Sequence, residues 1–309
     1  MTWIKEGLIY CSDKYQTGYA QLPFIDAIND KTWRIYFSTR TKDIISYPFY
    51  IDVEAENPKN IIKIYDEPIL ELGEYGTFDD NGITISSIIT VENKKYLYYI
   101  GWNKRVSVSY ALNIGIAVSK DGGNTFKKLF NGPIIDRSKY DAIFSTAPCV
   151  IKDNNKFKMW YVSCLRWEII NGKTEPVYVI KYSESDNGID WEINNQICID
   201  SEYEGEALGR PWVIKEDGIY KMWFSSRGSV GYREKDGQHY MITYAESDNG
   251  TDWVRKPEKF NLKTSSQGWD SEMMEYCSVF SFSGKNYMLY NGNGFGKTGF
   301  GLATQYTNK

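Results

Sequence analysis

The sequence has one histidine, His239. A multi-histidine metal site is therefore excluded, and a serine–histidine–aspartate triad could be built only around that residue. No stretch approaches the roughly 18 apolar residues of a membrane span. The first residues, Met1-Thr-Trp-Ile-Lys-Glu-Gly7, lack a basic end followed by an apolar core, so neither a signal peptide nor a membrane partner is expected. Disulfide signals are also missing. The five cysteines, Cys11, Cys149, Cys164, Cys198 and Cys277, are odd in number, far apart and without a CxxC pair. Reduced thiols in a cytoplasm are the expectation. There is no basic stripe: 36 Lys and Arg are interspersed with 40 Asp and Glu for a net charge of −4, which argues against a nucleic-acid partner. Nor does a low-complexity linker interrupt the chain, so residues 1–309 read as one domain. What is plentiful is aromatic: 25 Tyr, 14 Phe and 10 Trp suit a β-rich protein with a stacking surface.

A repeat runs through the chain. Five segments align on Pro23, Ser86, Pro148, Pro211 and Cys277, at spacings of 63, 62, 63 and 66 residues. Thirteen residues past each anchor stands an aromatic, Tyr36, Tyr99, Tyr161, Phe224 or Tyr290, and fifteen past stands a small residue. The step of two is strand periodicity. Each unit reads as a strand after the anchor, a polar turn and a returning strand such as Phe157-Lys-Met-Trp-Tyr-Val-Ser163. Third strands follow at Asn113–Val118, Val177–Tyr182, Tyr240–Ala245 and Gly299–Thr304. The turns Ser119-Lys-Asp-Gly122, Ser185-Asp-Asn-Gly188 and Ser247-Asp-Asn-Gly250 supply the positive φ of tight hairpins, and their recurrence marks them as structural. The fold class is therefore all-β, a five-bladed β-propeller with four-stranded blades. The last unit lacks a fourth strand, and Trp3–Cys11 is strand-like and otherwise unplaced, so the N-terminal strand is expected to close the ring.

Loops leading into the innermost strands line one mouth of a propeller axis. The residues before the anchors include Gln21, Asp79 and Asp80, Asp141, Glu206 and Arg210, Asp270, and Glu275. Carboxylates recur there at a similar phase, and converging acids can raise one another's pKa toward that of a general acid. Arg40 and Arg227 stand just after second strands and suit hydroxyl, carboxylate or phosphate recognition. Trp102 and Trp167 also follow second strands and offer stacking platforms for a sugar ring.

The chain resembles the five-bladed propeller glycoside hydrolases of families 43, 32 and 130, and most of all the uncharacterised glycosyl hydrolases encoded among bacterial surface-polysaccharide biosynthesis genes. The resemblance is carried by Phe78-Asp-Asp-Asn-Gly82, Tyr98-Tyr-Ile-Gly-Trp102, Ile114–Gly122, Met159-Trp-Tyr-Val-Ser163, Arg210-Pro-Trp-Val213, Met222-Trp-Phe-Ser-Ser-Arg227, Gly268-Trp-Asp-Ser271 and Tyr290-Asn-Gly-Asn293. It implies an enzyme acting on a glycosidic bond of a saccharide or nucleotide sugar, with two carboxylates flanking the bond and neither metal nor organic cofactor. Asp79 or Asp80 would be the base and Glu206 or Glu275 the acid. Asp270 would tune pKa or hold substrate, and Gln21, Arg40, Arg210 and Arg227 would bind it. One departure stands out: the first blade's loop offers Gln21 where the family places an acid. A non-catalytic carbohydrate-binding propeller, a phosphorylase and a transferase are the alternatives.

Overall fold

The computed structural model describes residues 2–234 and 237–306. Strand β1 (Ile4–Tyr10) opens the chain. Blade I contains β2 (Gln21–Ala27), β3 (Thr32–Arg40), β4 (Ser46–Glu54) and β5 (Ile61–Ile64). Blade II contains β6 (Ile83–Val91), β7 (Lys94–Lys104), β8 (Tyr110–Ser119) and β9 (Lys127–Lys128). Blade III contains β10 (Phe144–Asp153), β11 (Lys156–Ile170), β12 (Lys173–Ser185) and β13 (Ile197–Ile199). Blade IV contains β14 (Ala207–Glu216), β15 (Ile219–Arg227), β16 (Met241–Ser247) and β17 (Val254–Arg255). Blade V contains β18 (Glu275–Phe282), β19 (Lys285–Asn291) and β20 (Phe300–Tyr306), and its fourth strand is β1. All neighbours pair antiparallel, and β1 pairs β20 from Ile4 opposite Thr304 to Tyr10 opposite Phe300. The ring is closed by the N-terminal strand as the sequence predicts.

The anchors mark a bulge. Each innermost strand slips register around its anchor, between Gln21 and Phe24, Ile85 and Ser87, Thr146 and Cys149, Gly209 and Trp212, and Glu275 and Ser278. In three blades a side-chain-bearing residue takes the left-handed conformation there: Leu22 at φ 52°, Ala147 at 48° and Tyr276 at 51°. Such bulges re-aim the side chains beside them, and the conformation is held only because neighbouring blades fix it.

The core lies between blades. Phe24, Tyr36 and Tyr50 of blade I pack with Ile83, Leu97, Tyr99 and Phe126 of blade II, for example. The hairpin turns of blades II to IV latch the preceding blade. Ser185 Oγ accepts the Gly188 N–H at 2.9 Å and Asn187 Oδ1 accepts that of Asp190 at 2.9 Å, which fixes the turn. The freed Gly188 carbonyl then accepts the Tyr98 hydroxyl of blade II at 2.9 Å. Trp160 Nε1 donates to Gly250 O at 2.7 Å and Tyr36 Oη to Gly123 O at 2.8 Å in the same way. Gly188 and Gly250 sit at φ 73° and 85°, where L side chains are strained.

The five repeat aromatics are fully buried, but one is out of phase. Phe24 opposite Tyr36 matches Ser87 opposite Tyr98, Cys149 opposite Trp160, Trp212 opposite Trp223 and Ser278 opposite Leu289. The partner of Tyr99, Tyr161, Phe224 and Tyr290 in blade I is therefore Phe37. The cause is one extra residue in the first hairpin of blade I, between Ala27 and Trp33, where the other blades use a two-residue turn.

Candidate active site

The bulges set two tiers of side chains around one mouth of the axis. Gln21, Thr84, Thr146, Gly209 and Glu275 occupy equivalent positions, opposite Ser38, Ile100, Val162, Ser225 and Asn291. Two residues beyond those partners come Arg40, Trp102, Cys164, Arg227 and Asn293. Gln21 of blade I and Glu275 of blade V are thus counterparts, and so are Arg40 and Arg227.

Glu275 is fully buried, and neither carboxyl oxygen has a hydrogen-bond partner. Burial pushes its carboxyl well above the usual range, against the pull of the Arg40 and Arg227 guanidiniums. No other carboxylate of the described residues acts on it. Arg40 is half-buried. Its Nε donates to Ser46 Oγ at 3.2 Å, and its guanidinium lies 5.5 Å from the Tyr19 ring and 5.2 Å from that of Trp102. Trp102 Nε1 donates to Thr84 Oγ1 at 2.8 Å. Trp102 and Trp167 flank Tyr110, at ring distances of 5.2 and 5.3 Å, so both predicted platforms belong to one aromatic wall. Gln21 donates to Phe295 O, while its Oε1 is buried without a partner, as are the hydroxyls of Ser145 and Thr146 and the Trp167 indole nitrogen.

Arg227 is buried. Its terminal nitrogens donate to Gly228 O and Pro176 O at 2.9 Å each, and its guanidinium stacks 3.6 Å from the Tyr232 ring. Arg210 has another task. It reaches from blade IV across the axis, donating to Pro23 O of blade I at 3.2 Å, Tyr276 O of blade V at 2.7 Å and Ser86 O of blade II at 3.0 Å. Burial pushes its guanidinium down to about 10. Its terminal nitrogens are taken up by backbone carbonyls, so it serves as a crossbar of the core.

The other expected acids do not gather with Glu275. Asp79 is fully buried, accepts the Tyr99 hydroxyl at 3.0 Å and pairs with Lys128 Nζ at 2.6 Å on the outermost strand of its blade. Asp270 repeats this with Tyr290 at 3.0 Å and Lys5 at 2.6 Å, and Asp141 with Tyr161 and Lys181, each at 3.0 Å. Glu206 pairs with Arg255 at 2.8 Å and accepts the Ser226 hydroxyl. Asp80 is half-exposed, accepting from Asn103 Nδ2 at 2.9 Å and the Gly76 N–H at 2.8 Å. The loops are longer than one strand step, so only their last residues reach the axis. An acid seven residues before the anchor lies under the second strand, where a cation of the third or fourth strand meets it.

The mouth also contains residues the sequence did not single out. Tyr110 and Tyr178 share a hydroxyl contact at 2.9 Å, and Tyr240 lies 5.4 Å from the Arg227 guanidinium. Glu175 accepts the Tyr232 hydroxyl and pairs with Arg233. The available signal was positional: Tyr178 and Tyr240 enter third strands opposite the Arg40 tier. His239 lies ahead of β16, with Nδ1 3.0 Å from Tyr232 O. All five cysteines are free, and among the described residues no group of three or more His, Cys, Asp or Glu could hold a metal. No helix of the described residues is long and apolar enough to cross a membrane. A separate cleft of about 170 Å³, lined by Trp3, Trp223 and Tyr244, shares no residue with the mouth.

No family model matches the chain. Among solved structures, one described as "Glycoside hydrolase" is 16% identical, covers 99% of this chain and 91% of that one, and gives a TM-score of 0.73. A thermostable family-43 glycoside hydrolase is 18% identical over 92% of this chain and 87% of its own, with a TM-score of 0.65. The endo-arabinase from Bacteroides thetaiotaomicron is 15% identical over 98% of both chains, also at 0.65. At such identities the likeness is one of fold. Uncharacterized protein Rv1502 of Mycobacterium tuberculosis is 36% identical over 307 residues, which is 98% of this chain and 99% of the relative. The chain therefore belongs to the same family as that mycobacterial protein, and it has the five-bladed propeller fold of glycoside hydrolases.

Proposed function

We propose that the axial mouth is the active site of a glycoside hydrolase-like enzyme, acting on a glycosidic bond of a saccharide or activated sugar, with Glu275 as the proton donor. The observation that carries this reading is the Glu275 carboxyl, fully buried and without a hydrogen-bond partner, at the level where the bulges aim side chains at the axis. Burial raises its pKa above the ordinary carboxylate value, the direction a general acid requires. As the glycosidic bond breaks, the Glu275 proton passes to the leaving oxygen. The carboxylate so formed is stabilised by Arg40 and Arg227, the cations that act on it. Asp80 of the blade II loop keeps accessible surface and forms no ion pair among the described residues, which favours it over Asp79 as the base that activates water, although it does not gather with Glu275. Trp102 and Trp167 would hold the sugar ring, and the unpartnered Gln21, Ser145 and Thr146 groups its hydroxyls.

A second reading, a carbohydrate-binding propeller without turnover, is favoured by the ion pairs that occupy Asp79, Glu206 and Asp270. Incubation with a panel of aryl glycosides and nucleotide sugars separates the two. Product release by wild type, lost in Glu275→Gln, supports catalysis. Saturable binding with no product across the panel supports the binding module. Turnover that needs added phosphate and yields a sugar 1-phosphate would make the enzyme a phosphorylase.

A further inference from the structure

We infer that the saccharide received at this mouth carries an anionic group, a carboxylate or a phosphate, and that Arg40 binds it. The inference rests on the axial mouth being the ligand site and names the class of ligand. Three arginines surround the axis, Arg40, Arg210 and Arg227, and none forms an ion pair among the described residues. Two of them are already held. Arg210 is satisfied by the carbonyls of three other blades. Arg227 donates to two carbonyls and stacks on Tyr232.

Arg40 differs. Its Nε is tethered to Ser46 and its guanidinium is flanked by the rings of Tyr19 and Trp102, but its two terminal nitrogens carry no hydrogen bond among the described residues. A guanidinium tethered at Nε with both tips unengaged is the fork that receives a carboxylate or phosphate in two parallel bonds. Glu275, an acid that acts on it electrostatically, makes neither a hydrogen bond nor an ion pair with it among the described residues. The remaining mouth ion pair, Arg233 with Glu175, is internally neutral. Three arginines without an ion pair thus surround the axis of a chain whose net charge is −4. Arg40 is half-buried, so its unengaged tips can be reached, and an anionic ligand supplies the counter-ion it lacks.

Titration calorimetry with glucose, glucuronate and glucose 6-phosphate tests this on wild type, Arg40→Gln, Arg40→Lys and Glu275→Gln. At least one anionic sugar should bind wild type roughly 10- to 100-fold more tightly than glucose, the range a charge-assisted hydrogen bond supplies. Glucuronate favoured over the phosphate identifies a carboxylate ligand, and the reverse a phosphate. Arg40→Gln should erase the preference, and Arg40→Lys should keep part of it. Equal binding of all three sugars, a preference that survives in Arg40→Gln, or no saturable binding of either anionic probe at millimolar concentration overturns the inference. If Arg40→Gln fails to fold, the wild-type comparison and Arg40→Lys decide it. Glu275→Gln should retain the preference. Anion binding with no catalytic loss in that variant would therefore defeat the proposed acid and leave the anion site standing.

Discussion

Glu275 owes its chemistry to what surrounds it. A carboxyl that keeps its proton in the folded protein binds one that the unfolded chain releases above about 4.5, its ordinary value. Its stabilising contribution is full below that pH and is lost as pH rises toward the folded-state value. Wild type should therefore lose melting temperature, relative to Glu275→Gln, as pH rises above about 5. The same substitution should lower turnover by about 10²- to 10⁴-fold while the circular dichroism spectrum stays native. A parallel pH dependence of the two melting curves would count against the raised carboxyl. The sequence placed Glu275 among the candidates but could not separate it from Glu206, because both precede an inner strand. What separates them is a cation: Arg255, 49 residues away, reaches Glu206, and no carboxylate-seeking side chain closes on Glu275 in that manner.

The acid–cation pairs beneath the blades act at the level of the element. Burial alone would raise the Glu206 carboxyl, but the hydrogen bonds from Arg255, Ser226 and the Glu202 N–H hold it below its usual range. That stability is present above the ordinary carboxylate pKa and is lost as pH falls through the depressed value. Arg255→Met should cost about 3–5 kcal/mol in chemical denaturation, because it leaves a buried charge unpaired. A cost no greater than that of a surface pair, under about 1 kcal/mol, would show that solvent reaches Glu206. Tyr98→Phe should cost about 1–3 kcal/mol, since the Gly188 carbonyl it caps is left buried and unmade. The strands themselves were legible because period two survives in every blade. The one-residue insertion in the first hairpin was not, because Tyr36 and Phe37 are both aromatic and either satisfies the pattern. The ion pairs were half legible: an acid twenty residues before a Tyr recurs at Asp79, Asp141 and Asp270, but the cation comes from a strand whose distance along the chain changes from blade to blade.

At the scale of the whole molecule, blade V joins the two ends of the chain. Deleting residues 1–11 removes β1 and exposes the edge of β20, so the melting transition should fall and soluble yield with it. An unchanged transition would mean that three strands suffice for that blade. The ring was readable in advance because the repeat counts blades and the missing last strand has only one donor. The site was less readable, since axial neighbours come from all five repeats and the sequence gives no angle around the axis. The Arg210 crossbar has a further consequence. A guanidinium bonded to carbonyls of three blades closes the bore behind Glu275, so the mouth is a cul-de-sac. If the mouth receives a glycan, as proposed, that glycan cannot be threaded through this ring. Such a ligand would insert one terminus or lie across the opening, and whatever is released would leave by the door through which it entered.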